Sequence, residues 1–166
     1  MENSPSLKPL RVAVLVASDS VAAGRAVDSS GKAAIDRMNS LGHTTLPLKV
    51  VPDEMLEIQS ALEHWCDHER VDLILTSGGT GLSPRDVTPD ATLRVIQRQI
   101  SGISETIRAY GQTKIQTSML SRAVAGTRGT TVIVNLPGSR KGVEESLDVL
   151  VPVLPHIYRM MRGEKH

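Results

Sequence analysis

A chain of 166 residues fits one domain with a substantial hydrophobic core, and its single cysteine, Cys66, excludes an internal disulfide and a cysteine-built zinc site. With 19 basic against 18 acidic residues and no phenylalanine, neither a broad positive surface nor an aromatic platform for stacking bases is expected. No window approaches the roughly 18 apolar residues of a membrane span, so we expect a cytoplasmic protein that binds neither nucleic acid nor membrane.

The first part of the chain alternates strand-like runs with helical periodicity. Val12 to Ala17 is an apolar, β-branched run typical of a strand covered on both faces, and residues 18–27 are expected to form a loop. A helix should begin near Ser29-Ser30-Gly31 and end at Gly42. Residues 44–51 predict a second strand, and the proline within it favours an edge position or a bulge.

The middle of the chain continues the same alternation. Helical spacing of apolar residues indicates the next helix, through Met55, Ile58, Leu62 and Trp65. Residues 72–76 predict the third strand. Thr88-Pro89-Asp90 is a helix start signal with a hydroxyl cap, and that helix should reach about residue 97. Residues 104–110 predict a helix ended by a glycine, and residues 130–135 predict the fourth strand.

A long closing helix completes the pattern. Apolar residues recur every three or four positions between residues 143 and 161, and Pro152 and Pro155 should bend this helix. Strand–helix alternation, with connections too long for hairpins, predicts an α/β fold with three α/β/α layers and a mainly parallel sheet. We expect this single domain over residues 11–162, after a flexible tail of residues 1–10.

The most informative functional segment is a glycine loop, residues 76–86, which follows the third strand directly. Three glycines within four residues let the backbone turn tightly and direct amide groups at an anion. Hydroxyls at Ser77, Thr80 and Ser83 favour a ligand. The spacing matches neither the nucleoside triphosphate loop ending in Gly-Lys-Ser/Thr nor the Gly-x-Gly-x-x-Gly dinucleotide motif. The loop therefore indicates either an anion site or a purely structural turn.

Two carboxylates, Asp53 and Asp86, follow predicted strands and could face one crevice from different loops. Ordinary alternatives are that Asp53 caps or complements the start of its helix, and that Asp86 pairs with Arg85 or accepts from turn amides. If the site binds a nucleoside triphosphate, two carboxylates are the oxygen ligands that Mg²⁺ takes together with water and phosphate.

Other polar segments have both a functional and a structural interpretation. Asp28-Ser29-Ser30-Gly31 places hydroxyls and amides at a helix start, either as an anion seat or as a plain cap. Ser121-Arg122 and Arg140-Lys141 supply donors for a phosphate, or remain solvated surface. The five histidines lack a metal-binding spacing, and Cys66 is more typical of a buried side chain than of a nucleophile.

The segment from Thr76 to Thr92, TSGGTGLSPRDVTPDAT, closely resembles the defining segment of the MogA/MoaB family of molybdenum cofactor biosynthesis, which includes the gephyrin G domain. Shorter segments between residues 11 and 162 are similar to the pattern of the same family: Ser18-Asp19-Ser20, Asp28-Ser29-Ser30-Gly31, Val51-Pro52-Asp53-Glu54, Met119-Leu120-Ser121-Arg122 and Asn135-Leu136-Pro137-Gly138-Ser139.

This resemblance implies a molybdopterin adenylyltransferase, which joins AMP from Mg-ATP to the terminal phosphate of molybdopterin and releases pyrophosphate. It also implies a homotrimer and contacts with other molybdenum cofactor biosynthesis proteins. Asp53 and Asp86 match the catalytic, metal-binding acids. Nucleotide and pterin contacts are expected among Asp28, Ser30, Gly31, Ser77, Gly78, Gly79, Thr80, Gly81, Arg85, Ser121, Arg122, Asn135, Pro137, Gly138 and Ser139.

Two other classes of function stay open on the residues alone. One is a non-catalytic molybdopterin-binding or scaffold protein of the same family, and the other is a general nucleotide hydrolase. The presence of both acids, Asp53 and Asp86, favours the transferase.

Overall fold

A computed structural model describes residues 7–164 of the chain. Residues 1–6 of the expected tail lie outside the described residues. Leu10, at the end of that tail, is buried in the core, and its N–H donates a hydrogen bond to Nδ1 of His43. No helix within residues 7–164 has the length and apolar character needed to cross a membrane.

A seven-stranded sheet forms the centre of the described part of the chain. The strands are β1 Arg11–Ala17, β2 Thr44–Thr45, β3 Lys49–Val51, β4 Leu73–Ser77, β5 Arg98–Gln99, β6 Ala125–Arg128 and β7 Thr131–Leu136. Their order is β2-β1-β4-β7-β6-β5, with β3 also paired to β1. Strands β1 to β4 and β7 run parallel, whereas β5 and β6 run antiparallel to their neighbours.

Helices cover both faces of this sheet. They are α1 Asp19–Ala22, α2 Ser30–Ser40, α3 Met55–Asp67, α4 Thr88–Val95, α5 Ser101–Gln112, α6 Arg140–Leu150 and α7 Leu154–Met161, with 3₁₀ turns at Gln116–Leu120 and Val151–Val153. Along β1 the side chains alternate: Val12 and Val14 pack with α2, α5, α6 and α7, whereas Ala13 and Leu15 pack with α3 and α4. The predicted three-layer fold with a mainly parallel sheet is therefore confirmed.

The edges of the sheet differ most from the prediction. The expected second strand is two short strands, β2 and β3, because Pro47 between them has no N–H to donate to a ladder. Both pair with β1 at the sheet edge, as the proline predicted. Strands β5 and β6 were not predicted, and β6 joins β7 as a hairpin through Gly129. The Ala-Gly-Thr-Arg of β6 has little of the β-branched character that marks a strand.

Several helix boundaries also differ. The expected loop 18–27 contains α1, whose first turn is capped when Ser18 Oγ accepts from the N–H of Val21. Helix α4 ends at Val95 rather than near residue 97, and α5 runs through Gly111 instead of stopping there. The closing helix is two helices, α6 and α7, separated by a 3₁₀ turn at Pro152.

The contact between Leu10 and His43 makes the stability of the fold depend on pH. Partial burial lowers the pKa of His43, and Nδ1 must stay unprotonated to accept from Leu10. The unfolded chain therefore takes up a proton first as the pH falls below about 6.5.

We expect the free energy of unfolding to fall as the pH is lowered from about 6.5 through the depressed folded-state pKa of His43. The variant His43→Gln offers an acceptor that does not titrate and should flatten this part of the curve. Urea denaturation between pH 5 and 7.5 measures the effect, and an identical slope in both proteins would contradict it.

Candidate functional site

A cavity of about 300 Å³ opens at the carboxyl ends of β1 and β4. From β1 the chain moves to β2 and β3 on one side, and then crosses to β4 on the other side of β1. The two strands thus form a topological switch point, where neighbouring loops separate and leave a crevice. We call this space the strand-end cavity. The residues lining it are Val16, Ala17, Ser18, Val21, Val27, Asp28, Ser29, Ser30, Asp53, Ser77, Gly78, Gly79, Asp86 and Gly138.

The glycine loop forms one wall of the strand-end cavity by packing against the end of β1. Gly78 and Gly79 have positive φ angles of +92° and +66°, which favour glycine. A Cβ on Gly78 would lie 2.4 Å from the carbonyl oxygen of Ala17, closer than real side chains come to a backbone atom. This backbone can therefore approach β1 only without a side chain.

The structure brings Asp53 and Asp86 together in this cavity, although 32 residues separate them. The Oδ2 atom of Asp53 accepts from the N–H of Asp19 at 2.9 Å, and Oδ1 of Asp19 accepts from the N–H of Asp53 at 3.0 Å. Burial raises the pKa of Asp53, and the negative charges of Asp19 and Asp86 raise it further. The two acids therefore share one electrostatic environment.

The structure supports one of the purely structural interpretations of Asp53 and Asp86 and contradicts two others. Glu54, not Asp53, occupies the N-cap position of α3, so Asp53 does not cap its own helix. Oδ2 of Asp86 accepts from the N–H of Ser83 at 2.9 Å, as the turn-amide interpretation expects. The alternative pairing of Asp86 with Arg85 is wrong.

Arg85 instead binds two other acids. Its guanidinium donates to both carboxylate oxygens of Asp19, at 3.0 and 2.9 Å, and lies 2.8 Å from Glu54. This contact holds the pKa of Asp19 below its ordinary value. Arg85 therefore ties the glycine loop to the starts of α1 and α3, and it lies outside the lining of the cavity. Asp19 lies in one of the family-like segments but was not among the predicted site residues, although it follows β1 by two residues, where ligand-binding loops of such sheets begin.

A row of hydroxyl groups crosses the floor of the strand-end cavity. Ser77 Oγ lies 2.8 Å from both Ser30 Oγ and the carbonyl oxygen of Pro137, and Ser30 donates to Asp28. Asp28 also accepts from the N–H groups of Gly31 and Lys32, so the capping interpretation of Asp28 holds while its side chain lines the cavity. Gly31 is buried beneath it and lines neither cavity.

A larger cavity of about 710 Å³ lies on the other side of the glycine loop, between α5, the following 3₁₀ turn and α6. We call it the helix-side cavity. Five expected contacts line it: Thr80, Gly81, Ser121, Pro137 and Ser139. Lys114 and Tyr110 also line the helix-side cavity but were not among the predicted site residues. Lys114 Nζ lies 5.3 Å from the Tyr110 ring centre. Neither residue directly follows a strand, so the expectation that ligands bind at the carboxyl ends of strands could not identify them.

Successive residues of two loops face different cavities. In the glycine loop, Gly78 and Gly79 line the strand-end cavity, whereas Thr80 and Gly81 line the helix-side cavity. In the loop after β7, Gly138 lines the first and its two neighbours line the second. The same short backbone segments therefore separate two spaces and contact both.

Arg122 lies outside both cavities and braces the glycine loop. Its guanidinium donates to the carbonyl oxygens of Gly81 and Asp86, at 3.0 and 2.6 Å, and to the carboxylate of Asp90 at 2.8 Å. Charge-assisted bonds of this kind hold a loop in one conformation. The structure thus gives the side chain of Arg122 a supporting contact with the loop rather than a place in the cavities.

Asn135 also lies outside both cavities, because its side chain is completely buried. Its Nδ2 group donates to the hydroxyls of Thr76 and Thr92, each at 2.9 Å, and its Oδ1 accepts from the N–H of Val124 at 3.2 Å. These bonds join β4, α4, β7 and the start of β6 beneath the glycine loop.

The described part of the chain contains neither a preformed cluster of metal ligands nor a reactive thiol. Within residues 7–164, no three histidine, cysteine or acidic side chains converge in a way that could hold a metal ion. Burial raises the pKa of the Cys66 thiol to about 11, so this thiol stays protonated and unreactive near neutral pH.

We expect Asn135→Ala to lower the free energy of unfolding by about 2–4 kcal/mol, because it leaves buried polar groups of Val124 and Thr76 unpaired. Urea denaturation measures the loss. The matched control is Asn39→Ala on the exposed side of α2, which should cost less than about 1 kcal/mol. Equal losses of unfolding free energy in the two variants would show that the buried hydrogen bonds of Asn135 do not stabilise the fold.

A mainly parallel sheet covered by helices, with a glycine-lined crevice at its switch point, defines an α/β protein of the doubly wound class. Residues 13–156 match the family model described as "Probable molybdopterin binding domain". The chain belongs to this family, and the resemblance to its MogA/MoaB members is confirmed.

Named relatives extend over nearly the whole chain. A molybdopterin adenylyltransferase of Helicobacter pylori is 35% identical over 95% of this chain and 90% of that protein. A molybdenum cofactor biosynthesis bifunctional protein of Chlorobaculum tepidum is 42% identical over 94% of this chain, which spans only 50% of that protein's length.

Solved structures show the same fold. The molybdopterin biosynthesis enzyme MoaB of Thermus thermophilus superimposes with a TM-score of 0.86 at 43% identity, covering 93% of this chain and 97% of that one. The Mog protein of Mycobacterium ulcerans superimposes with a TM-score of 0.87 at 39% identity, covering 95% and 99%.

Proposed function

We propose that this protein is a molybdopterin adenylyltransferase of molybdenum cofactor biosynthesis, which uses Mg-ATP and releases pyrophosphate. The observation that carries the proposal is that Asp53 and Asp86, from separate loops, face one cavity whose wall is glycine backbone. The name of the Helicobacter relative, which this chain matches over most of its length, supports the same activity.

The charge of the strand-end cavity supports a requirement for magnesium. Three carboxylates line the cavity, those of Asp28, Asp53 and Asp86, and its described lining contains no lysine or arginine. Such a surface repels a bare triphosphate but accepts one that carries divalent cations. Asp53 and Asp86 would hold Mg²⁺ together with phosphate oxygens and water, because each has one carboxylate oxygen without a hydrogen bond from the described residues. Bound magnesium withdraws charge from the phosphates.

The protein's own groups would orient the nucleotide. Backbone N–H groups of the glycine loop line the cavity and can donate to phosphate oxygens. An oxygen of the terminal phosphate of molybdopterin then forms a bond to the α-phosphorus of ATP, the bond from that phosphorus to the pyrophosphate oxygen breaks, and pyrophosphate leaves. Correct placement of the two reacting groups contributes to the rate, and no covalent enzyme intermediate is needed.

Two adjoining cavities suit a reaction with two substrates. The glycine loop and the loop after β7 line both spaces, so ligands on their two sides would lie against the same short backbone segments. Lys114, Lys141 and Glu145 line the helix-side cavity, and their net positive charge favours a phosphate-bearing substrate. This arrangement favours transfer between two bound molecules over hydrolysis of one.

We also propose a homotrimer located in the cytoplasm, in contact with other molybdenum cofactor biosynthesis proteins. The exposed apolar side chains of Leu82, Ile115 and Met119 offer surface for such contacts. Analytical ultracentrifugation at the assay concentration should give three times the mass of the chain, and a monomer would contradict this assembly.

We expect Asp53→Asn and Asp86→Asn each to lower kcat for pyrophosphate release by about 100-fold or more, because each removes a charge that organises the metal-bound triphosphate. The assay contains ATP, Mg²⁺ and molybdopterin, and circular dichroism checks the fold. The matched control is Asp148→Asn, which removes a surface ion pair with Arg37 outside both cavities.

The same assay separates the other classes of function. Turnover in the Asn variants equal to that of the wild type would overturn the roles of the two acids. Binding of molybdopterin without any pyrophosphate would indicate a scaffold protein, and phosphate or pyrophosphate release without molybdopterin would indicate a nucleotide hydrolase.

A further inference from the structure

Thr88 contains a buried hydroxyl without a partner. The residue is completely buried, and among the described residues its Oγ1 is the one buried side-chain nitrogen or oxygen atom that makes no hydrogen bond. The helix start signal predicted that this hydroxyl would cap α4, but Val87 occupies the N-cap position and Thr88 is the first helical residue. The predicted capping role is therefore wrong, and the fold itself makes no use of the hydroxyl.

Keeping this hydroxyl costs stability. A buried hydroxyl without a partner is unfavourable by about 1–3 kcal/mol, whereas valine would fill nearly the same volume without that cost. The backbone of Thr88 already has its contact, since its N–H donates to the carbonyl oxygen of Gly79 at 3.1 Å. A threonine here is useful if its hydroxyl gains a partner when the neighbouring cavity is filled.

The hydroxyl points at the wall of the strand-end cavity. A Cβ on Gly79 would lie 2.3 Å from Thr88 Oγ1 and 3.2 Å from Oδ1 of Asp53. Both oxygens therefore face the side of Gly79 where a side chain would stand, and the absence of that side chain leaves the space between them open. The other carboxylate oxygen of Asp53 is already bonded to the N–H of Asp19.

We propose that Thr88 is a positioning residue for Asp53, and that its hydroxyl donates to Oδ1 of Asp53 when the strand-end cavity holds a metal-bound nucleoside triphosphate. This inference rests on the proposed function, because it takes Asp53 to hold the metal. A carboxylate that binds a metal needs further hydrogen bonds to fix its orientation, and losing one such partner typically weakens metal binding by about 10–100-fold. Gly79 is then required both for its positive φ and for the gap through which the two side chains meet.

The test compares Thr88→Val, which removes the hydroxyl at nearly constant volume, with Thr88→Ser, which keeps it. The probe is Mn²⁺ in the presence of a non-hydrolysable ATP analogue, with affinity measured by calorimetry. We expect Thr88→Val to bind Mn²⁺ about 10–100-fold more weakly, to lose a similar factor in kcat, and to unfold at the same or a higher temperature without ligand. Thr88→Ser should retain most of the affinity and turnover. The matched control is Thr106→Val on the exposed face of α5, which should change neither the Mn²⁺ affinity nor kcat.

Each other outcome has a distinct meaning. Wild-type affinity in Thr88→Val would overturn the proposal, and so would an equal loss in the serine and valine variants, since the hydroxyl would then not matter. A wild-type protein that binds Mn²⁺ with the analogue but releases no pyrophosphate would overturn the transferase function alone. A wild-type protein that binds neither Mn²⁺ nor the ATP analogue would overturn both the role of Thr88 and the transferase function.

Discussion

The close approach of the Gly78 backbone to the end of β1 is the contact on which the rest of the site depends. No residue with a side chain can occupy this position, because a Cβ would meet the carbonyl oxygen of Ala17 at 2.4 Å. The approach closes one wall of the strand-end cavity and turns the following residues, Thr80 and Gly81, toward the helix-side cavity. One steric constraint thus creates two adjoining spaces at a single strand end.

Charged and polar side chains hold that loop in place around its glycines. Arg85 binds Asp19 and Glu54 on one side, and Arg122 binds loop carbonyls on the other. Beneath the loop, the buried amide of Asn135 connects neighbouring elements. These contacts leave the strand-end cavity itself lined by acids and backbone, because the nearby arginines are occupied elsewhere. The cavity is therefore suited to cations and to anions that carry them.

Much of the fold could be predicted because buried parallel strands have a strong local signature. The apolar runs of β1, β4 and β7 and the helical stripe of α3 are visible in the sequence, and each was found. Strands β5 and β6 were not, since Arg-Gln and Ala-Gly-Thr-Arg are short and have little of the β-branched character that marks a strand. The ends of the predicted strands placed Asp53 beside Asp86 but not Lys114 and Tyr110, because these two residues reach the helix-side cavity from α5 and the turn after it.

The order of the principal strands and helices, the position of the glycine loop and the family can be inferred from the amino-acid sequence alone, because they depend on periodicity and on short contiguous motifs. Which polar residues face a cavity is visible only in the folded chain. Arg85, Arg122 and Asn135 belong to the same set of family-like segments as Asp53 and Asp86, yet their side chains bind protein groups. Side-chain direction and partners depend on contacts between segments that are far apart in the chain, and local patterns contain no record of those contacts.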